Sequence, residues 1–334
     1  MMLLRRVIEG ESCLFVPVSD LPEHAEVFYH PEQALSRDFS ILVYRAIAGE
    51  VLDSMSGTGA RAVRLAKNGI KVVANDISER AVHVIELNML VNGVKFEICN
   101  QKAEVLFHSR KFEAVDLDPF GTPAPFIHCA LHSAKRWLGV TATDTAALAG
   151  TYPRVGRRRY GIKIKRLPNY QEIGLRALAG FVVREAAKLE MGAQPIFSHA
   201  YRHYYRVYFS LRKGAGRADR ALEHLGWYDD IGPLWMGNLW DKKIVKRMKK
   251  IAGEVRLAHK KTGEHLQLIE KEVTYGDRIC YELHGLCSEL KISPPPMAKV
   301  LEKVQGVRTH LSPTGFRSPL TEEEVKEKIK RLSS

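Results

Sequence analysis

Asp118-Pro119-Phe120-Gly121 stands just after the apolar run Phe112–Leu117, and its residue types could do chemistry. An aromatic amine is planar because its lone pair is spread into the ring. Two acceptors, the Asp118 carboxylate and the Pro119 carbonyl, could hold the two N–H bonds and localise that lone pair on nitrogen. Proline fixes the turn that aims them, and Phe120 offers a stacking face for an extruded base. Such an amine is ready to attack an electrophilic carbon. Catalysis is then mostly alignment, with proton loss following. Asp116, two residues earlier, falls on the same face as Asp118 if the strand continues, and so supports it.

A second group, Asp53-x-x-x-Gly57-x-Gly59, reads as a strand end followed by a glycine loop. Glycines let the backbone approach a ligand closely, and the next helix offers free amides. Asp76 closes the following strand and is placed to accept both ribose hydroxyls of a nucleoside cofactor. This pair serves NAD and S-adenosylmethionine alike. The two are separated by Asp118-Pro119-Phe120, which resembles the acid-proline-proline-aromatic motif of methyltransferases acting on exocyclic amines.

Positioning these groups takes parallel strands. Glu50–Asp53 reads as a short buried strand, 60–68 as a helix, and Lys71–Ala74 as a second strand. Ser78 is the expected N-cap of a helix through Val91. Lys95–Cys99 and Phe112–Leu117 are the third and fourth strands, Phe126–Trp137 a helix and Gly139–Ala142 the fifth strand. Residues 1–20 read as a small hairpin and 31–48 as a helix. This alternation predicts an α/β fold with a doubly wound sheet, whose ligands bind beyond the carboxyl ends of the strands. A helix is expected over 170–190, and the aromatic-rich stretch 199–211 completes the sheet as antiparallel strands. A chain of 334 residues is long for one core, which rarely passes roughly 250. Lys213-Gly214-Ala215-Gly216 marks the expected boundary between domains 1–214 and 215–334. The second domain holds a tryptophan-rich segment, a basic helix and helices over 277–290 and 297–304. Its final helix is capped by Thr321, with Glu322–Glu324 in the first turn and Lys328–Arg331 at the end.

The net charge is +13, from 51 basic and 38 acidic residues. It is concentrated. Residues 154–166 hold seven basic residues (Arg154, Arg157, Arg158, Arg159, Lys163, Lys165, Arg166) and no acid. Residues 242–261 hold nine basic residues and one acid, Glu254. The remainder is close to neutral. Single-sign clusters this dense point to a polyanion partner. In the second, Ile244, Met248, Ile251, Val255 and Ala258 recur at helix spacing and leave Lys246, Lys249 and Lys250 off the apolar stripe. The first favours nucleic acid, because Arg158-Arg159-Tyr160-Gly161 reads as a loop with no stripe to lay on a membrane. No apolar run approaches the ~18 residues of a membrane span. The first 17 residues lack the apolar stretch of a signal peptide, so a cytoplasmic protein is expected. Five widely spaced cysteines without C-x-x-C predict neither disulfides nor a zinc site. His128/His132 and His199/His203 lack the companions of a metal site.

Read together, these residues closely resemble the tRNA (guanine-N2)-dimethyltransferase family of archaeal type. Phe28-Tyr29-His30-Pro31 through Ser36-Arg37-Asp38 resembles one family block, and Asp118-Pro119-Phe120-Gly121-Thr122-Pro123 is the most specific signature. Thr141–Asp144, Arg159-Tyr160-Gly161, Gly232–Gly237 and Arg308–Gly315 match in order. The resemblance implies a class I S-adenosylmethionine-dependent methyltransferase domain, Rossmann-like, with a smaller C-terminal α+β domain that contacts tRNA. It implies transfer of two methyl groups from S-adenosylmethionine to N2 of the guanine at tRNA position 26. Carried over by position, Arg37 and Arg61 contact the cofactor's methionine end or the loop holding it. Asp53, Gly57 and Gly59 form that loop, Asp76 holds the ribose, and Lys102-Ala103 borders the adenine. Asp118 is the catalytic acceptor with Pro119, and Phe120 and Phe28 sandwich the guanine. Arg154, Arg157, Arg158, Arg159, Lys246, Lys249 and Lys250 meet the tRNA. The chain departs from the family at His30 and Ser36, where asparagine is usual, and at Lys102, where an acid is common. Some relatives carry a four-cysteine zinc site; Cys280 and Cys287 cannot supply it, so no metal is expected. No obligate protein partner is evident.

Three rival readings remain. An NAD-dependent oxidoreductase explains the glycine loop and Asp76 but not Asp118-Pro119-Phe120 or the basic patches. An amino-methyltransferase acting on DNA or another RNA shares the chemistry. A non-enzymatic RNA-binding protein with a retired site is opposed by the intact acid-proline-aromatic motif.

Overall fold

Short apolar runs ending in acids and glycines become parallel strands whose carboxyl ends share one edge. The computed structural model describes residues 2–19, 25–47 and 49–333. Residues 1, 20 and 48, at the ends of the expected hairpin and first helix, lie outside the described residues. In chain order the first elements are β1 (Leu4–Glu9), β2 (Ser12–Pro17), α1 (Ala34–Ile47), β3 (Glu50–Asp53), α2 (Ala60–Lys67), β4 (Lys71–Asn75), α3 (Glu79–Val91) and β5 (Glu97–Cys99). They are followed by α4 (Ala103–Ser109), β6 (Phe112–Leu117), α5 (Ile127–Ser133), β7 (Ala134–Ala142), α6 (Thr145–Leu148), α7 (Pro153–Tyr160), α8 (Tyr170–Ala187), β8 (Met191–Tyr201) and β9 (Tyr204–Lys213).

The seven-stranded sheet has the order β5-β4-β3-β6-β7-β9-β8. The pairs β4/β5, β3/β4, β3/β6 and β6/β7 are parallel. β8 and β9 are joined by only two residues, as an antiparallel hairpin requires. The hinge of the topology lies between β3 and β6, where the order reverses and ligands gather in such folds. Register places Asp53 of β3 beside Asp116 of β6.

Two compact units make up the chain. One comprises Met1–Thr141, Tyr208–Leu211 and Lys246–Glu264; the other comprises Ala142–Val207, Arg212–Val245 and His265–Ser334. In the first, the β1/β2 hairpin packs Leu14 and Val16 onto Tyr29, Ala60 and Val63. Its 246–264 segment is fastened by Asp38, whose buried carboxylate accepts from the amides of Ala258 (3.0 Å) and His259 (2.9 Å) and from the Thr262 hydroxyl (2.6 Å). In the second, Leu283, Leu286, Val300, Val304, Phe316, Val325 and Ile329 form one apolar cluster.

Several expected boundaries are corrected. The helix expected over Phe126–Trp137 stops at Ser133, and Ala134 already begins β7. No glycine or proline breaks the run between Phe126 and Trp137, and periodicity does not divide a short helix from an adjoining strand. The helix expected over 277–290 is confined to Leu283–Leu290. The stretch Arg158–Gly161, expected as a loop, is instead the end of α7. Pro153 at its first turn and Gly161 as a left-handed C-cap delimit it, and arginines in its last turn suit the helix dipole. α4 had not been expected. The final helix, Glu322–Ser333, carries the expected cap: Thr321 and Glu324 exchange side-chain-to-amide bonds at 3.4 and 2.8 Å.

Candidate active site

At the carboxyl ends of β3, β4, β5 and β6, four loops of the first unit converge. The loop after β3 is tied down before any ligand arrives. The Ser54 hydroxyl donates to the Asp116 carbonyl (2.7 Å), and the Ser56 amide donates to the Asn75 carbonyl (2.9 Å). Gly57 and Gly59 both hold positive φ, and a Cβ on Gly57 would meet the Phe28 carbonyl at 2.9 Å. Both positions therefore demand glycine. The Asp76 carboxylate accepts from the amides of Gly57 (2.8 Å) and Ser78 (3.0 Å), so it braces the loop across from it. Asn75 donates to the carbonyls of Ser54 and Gln101, both at 3.0 Å, and so links this loop to the one entering α4. There Lys102 is exposed at the N-cap and Ala103 is buried at the first helical position.

β6 ends at Leu117 and delivers Asp118 and Pro119 to the same edge. The Arg61 guanidinium, buried on the first turn of α2, grips Asp118 and also the Ser40 hydroxyl. Its Nε lies 3.5 Å from Asp116 and 3.8 Å from Asp53. Tyr44 donates to Asp116 at 2.7 Å. Three carboxylates thus crowd one guanidinium. Asp53 Oδ2 is buried and has no hydrogen-bond partner among the described residues. Burial raises Asp53 to about 7, against the pull of Arg61 and with Asp116 pushing further upward. A largely buried, acid-rich cluster beside a glycine loop fits a ligand carrying positive charge, as the sulfonium and ammonium of S-adenosylmethionine do.

Near this cluster stand two aromatic rings. Phe28 and Phe120 meet edge to face with centroids 6.0 Å apart. They are 40% and 74% exposed, unusual for phenylalanine and suited to receiving a flat apolar partner. Arg37 is placed differently from Arg61. Its guanidinium pairs with buried Glu9 (Nε to Oε2, 2.8 Å) and donates to the His30 carbonyl (3.0 Å). It thereby holds the segment that carries Phe28.

Glu9, Ser40, Tyr44 and Asn75 were not singled out from sequence. The basic residues fall in two places. Lys246, Lys249 and Lys250 are exposed on the helix Lys242–Ala252, opposite buried Ile244, Val245 and Met248. Arg154, Arg157 and Arg158 are exposed on α7 in the second unit. Arg159 there donates to Asp144 (2.9 Å), whose other oxygen accepts from buried Tyr160 (2.5 Å). Among the described residues, no helix is long and apolar enough to cross a membrane.

The strand order, closed by the β8/β9 hairpin, with the glycine loop after β3, is that of a class I S-adenosylmethionine-dependent methyltransferase. Comparison with known proteins narrows the class. A family model described as N2,N2-dimethylguanosine tRNA methyltransferase matches residues 7–231 and 227–330. The chain is 35% identical to the tRNA (guanine(26)-N(2))-dimethyltransferase of Metallosphaera sedula, over 100% of this chain and 98% of that relative. It is 34% identical to the Pyrococcus horikoshii protein of the same name, over 98% and 99%. The solved complex of Trm1 from Pyrococcus horikoshii with S-adenosyl-L-methionine superposes with a TM-score of 0.90 at 33% identity, covering 98% of this chain and 100% of that one. This chain belongs to the N2,N2-dimethylguanosine tRNA methyltransferase family.

Proposed function

We propose that this protein transfers two methyl groups in turn to the exocyclic N2 of guanine 26 in tRNA, acting in the cytoplasm and without an obligate protein partner. The observation that carries this reading is the placement of Asp118-Pro119-Phe120 just past the end of β6, with Phe120 against Phe28 and Asp118 joined through Arg61 to the acid cluster. S-adenosylmethionine, when bound, supplies an electrophilic methyl group on a sulfonium sulfur. Asp53 and the Gly57–Gly59 loop would hold its methionine end, Asp76 its ribose, and Lys102-Ala103 its adenine edge. Arg37 would act on the same end through the segment it holds.

Guanine 26 would be turned out of the tRNA and bracketed by the Phe28 and Phe120 rings. The Asp118 carboxylate and the Pro119 carbonyl accept the two N–H bonds of N2 and localise its lone pair. Nitrogen forms the new bond to carbon as the carbon–sulfur bond breaks, and N2 sheds a proton to the Asp118 carboxylate. In the second round one N–H remains for Asp118 to accept. The exposed arginines 154, 157, 158 and 159 and lysines 246, 249 and 250 supply the sequence-independent grip on phosphates. As a functional division, 1–214 carries the chemistry and 215–334 contacts tRNA. The family model likewise matches in two segments that meet near residue 230.

Asp118→Ala tests the reading. Methyl transfer to purified tRNA is expected to vanish while S-adenosylhomocysteine still binds as to the wild type. Unimpaired transfer by this variant would remove Asp118 from the reaction.

A further inference from the structure

The carried-over role of Arg61 is contact with the cofactor's methionine end, but its geometry points to a second role. Asp118 lies beyond the last residue of β6, where strand pairing no longer fixes its carboxylate. Arg61 grips it, and Arg61 is itself held from several sides. Its guanidinium touches Asp118 and the Ser40 hydroxyl, with Asp116 at 3.5 Å. Ser40 is held in turn by the Ser36 carbonyl (2.9 Å) on α1 and the Tyr208 hydroxyl (3.0 Å) on β9. The guanidinium plane is thus set by two elements behind the site and presented to a third. Only arginine has a rigid fork of donors that can serve Asp118 and Ser40 together; a lysine ammonium is a point charge on a flexible stem.

We propose that Arg61 is a positioning residue for methyl transfer, orienting the Asp118 carboxylate before the amine arrives. A carboxylate offers about four lone-pair directions, so the grip of Arg61 does not exhaust it. This inference rests on Asp118 being the acceptor.

The test uses the full-length chain with purified tRNA. Single-turnover transfer is measured at saturating cofactor and tRNA, and S-adenosylhomocysteine affinity is measured by calorimetry. For Arg61→Lys the expected result is a fall of ~100-fold in the transfer rate, the scale of a misplaced catalytic group. Its cofactor affinity should change by far less. An unchanged rate with only weakened affinity would make Arg61 a cofactor ligand alone and overturn the proposal. Should Arg61→Lys fail to fold, Ser40→Ala removes the tie behind the guanidinium. A several-fold slower transfer with unchanged affinity supports the proposal, and a wild-type rate contradicts it. Asp118→Ala separates the two levels. If it transfers normally, the reading of Asp118 fails. If it is dead while Arg61→Lys turns over normally, only the role of Arg61 fails.

Discussion

Each unit buries an ionic cluster, and the two clusters are opposites. In the second unit Glu172, Arg176, Glu272, His310 and Arg317 are all fully buried. Arg176 donates to Glu172 and to the carbonyls of Trp235, Gly237, Gly276 and Arg278 at 2.8–3.1 Å. Glu272 accepts from the Thr309 hydroxyl (2.6 Å), the His310 amide (2.8 Å) and Arg317 (2.9 Å). Burial works to raise Glu272, but His310 and Arg317 overcome it and hold the carboxyl at about 2. In the first unit three carboxylates share Arg61, and Asp53 rises to about 7. Burial is the largest influence on both acids, and the supply of partners decides the sign. The saturated cluster is a fastening, and the acid-rich one has the imbalance expected of a site that takes a positively charged ligand. The tail residues Thr309 and His310 thus belong to a buried ionic fastening, while Asp118-Pro119-Phe120 is proposed to carry the chemistry.

The largest expected break in this contrast comes from the fastening. Arg317→Leu leaves Glu172 and Glu272 buried without their shared cation, and is expected to cost about 3–5 kcal/mol, read as a fall in thermal midpoint. A stability within 1 kcal/mol of wild type would show that the second cluster is not structural. Phe120→Ala should cost about 1–3 kcal/mol of tRNA transition-state binding, the range for one stacked base. It would appear in kcat/KM for tRNA at little cost in melting temperature. A matching drop in stability would mark Phe120 as packing instead.

The pH dependence sharpens the comparison further. Asp53 has a folded pKa above its ordinary one, so its protonated form favours the folded state. That contribution is full below about pH 4 and is lost as pH rises through about 7. Glu272 runs the other way: its stabilisation is present above about pH 4.5 and is lost as pH falls toward 2. Asp53→Asn should therefore stabilise the cofactor-free protein at pH 8 while weakening cofactor binding. In the wild type, S-adenosylmethionine affinity should rise as pH passes upward through about 7. A flat profile would deny Asp53 that role. The smallest effect is expected at α7. Changing Arg154, Arg157 and Arg158 to glutamine should flatten the salt dependence of tRNA binding by up to about 2–3 log units per log salt. A wild-type slope would take α7 out of the interface.

Strand ends were the most legible feature of the sequence. Glu50–Asp53 and Phe112–Leu117 were read end to end because an acid or a glycine loop punctuates each. Asp53 closes one and Asp118 follows the other, so two of the acids that the structure brings together around Arg61 were legible too. Sequence could not show which charges meet. Arg61 reaches Asp118 across 57 positions and Asp38 reaches Thr262 across 224, with no local spacing to betray either pair. Arg37 illustrates the same limit. The resemblance assigns it to the cofactor's methionine end or the loop holding it, and no local spacing showed that its guanidinium is also engaged by Glu9, an acid from the opening hairpin. The α5/β7 boundary and α7 were missed for local reasons: no glycine or proline between Ser133 and Ala134 to punctuate the one, and a short helix whose apolar residues are too few to show a stripe in the other.

The central claim is that the acid-rich cluster near Phe28 and Phe120 methylates one guanine of tRNA twice. Nucleoside mass spectrometry of tRNA incubated with the protein and methyl-labelled S-adenosylmethionine tests it most directly. The account predicts labelled N2,N2-dimethylguanosine, with the label mapping to position 26 and preceded in time by the monomethyl form. Label on another base or another atom, or a product that stops at one methyl under exhaustive incubation, would contradict it.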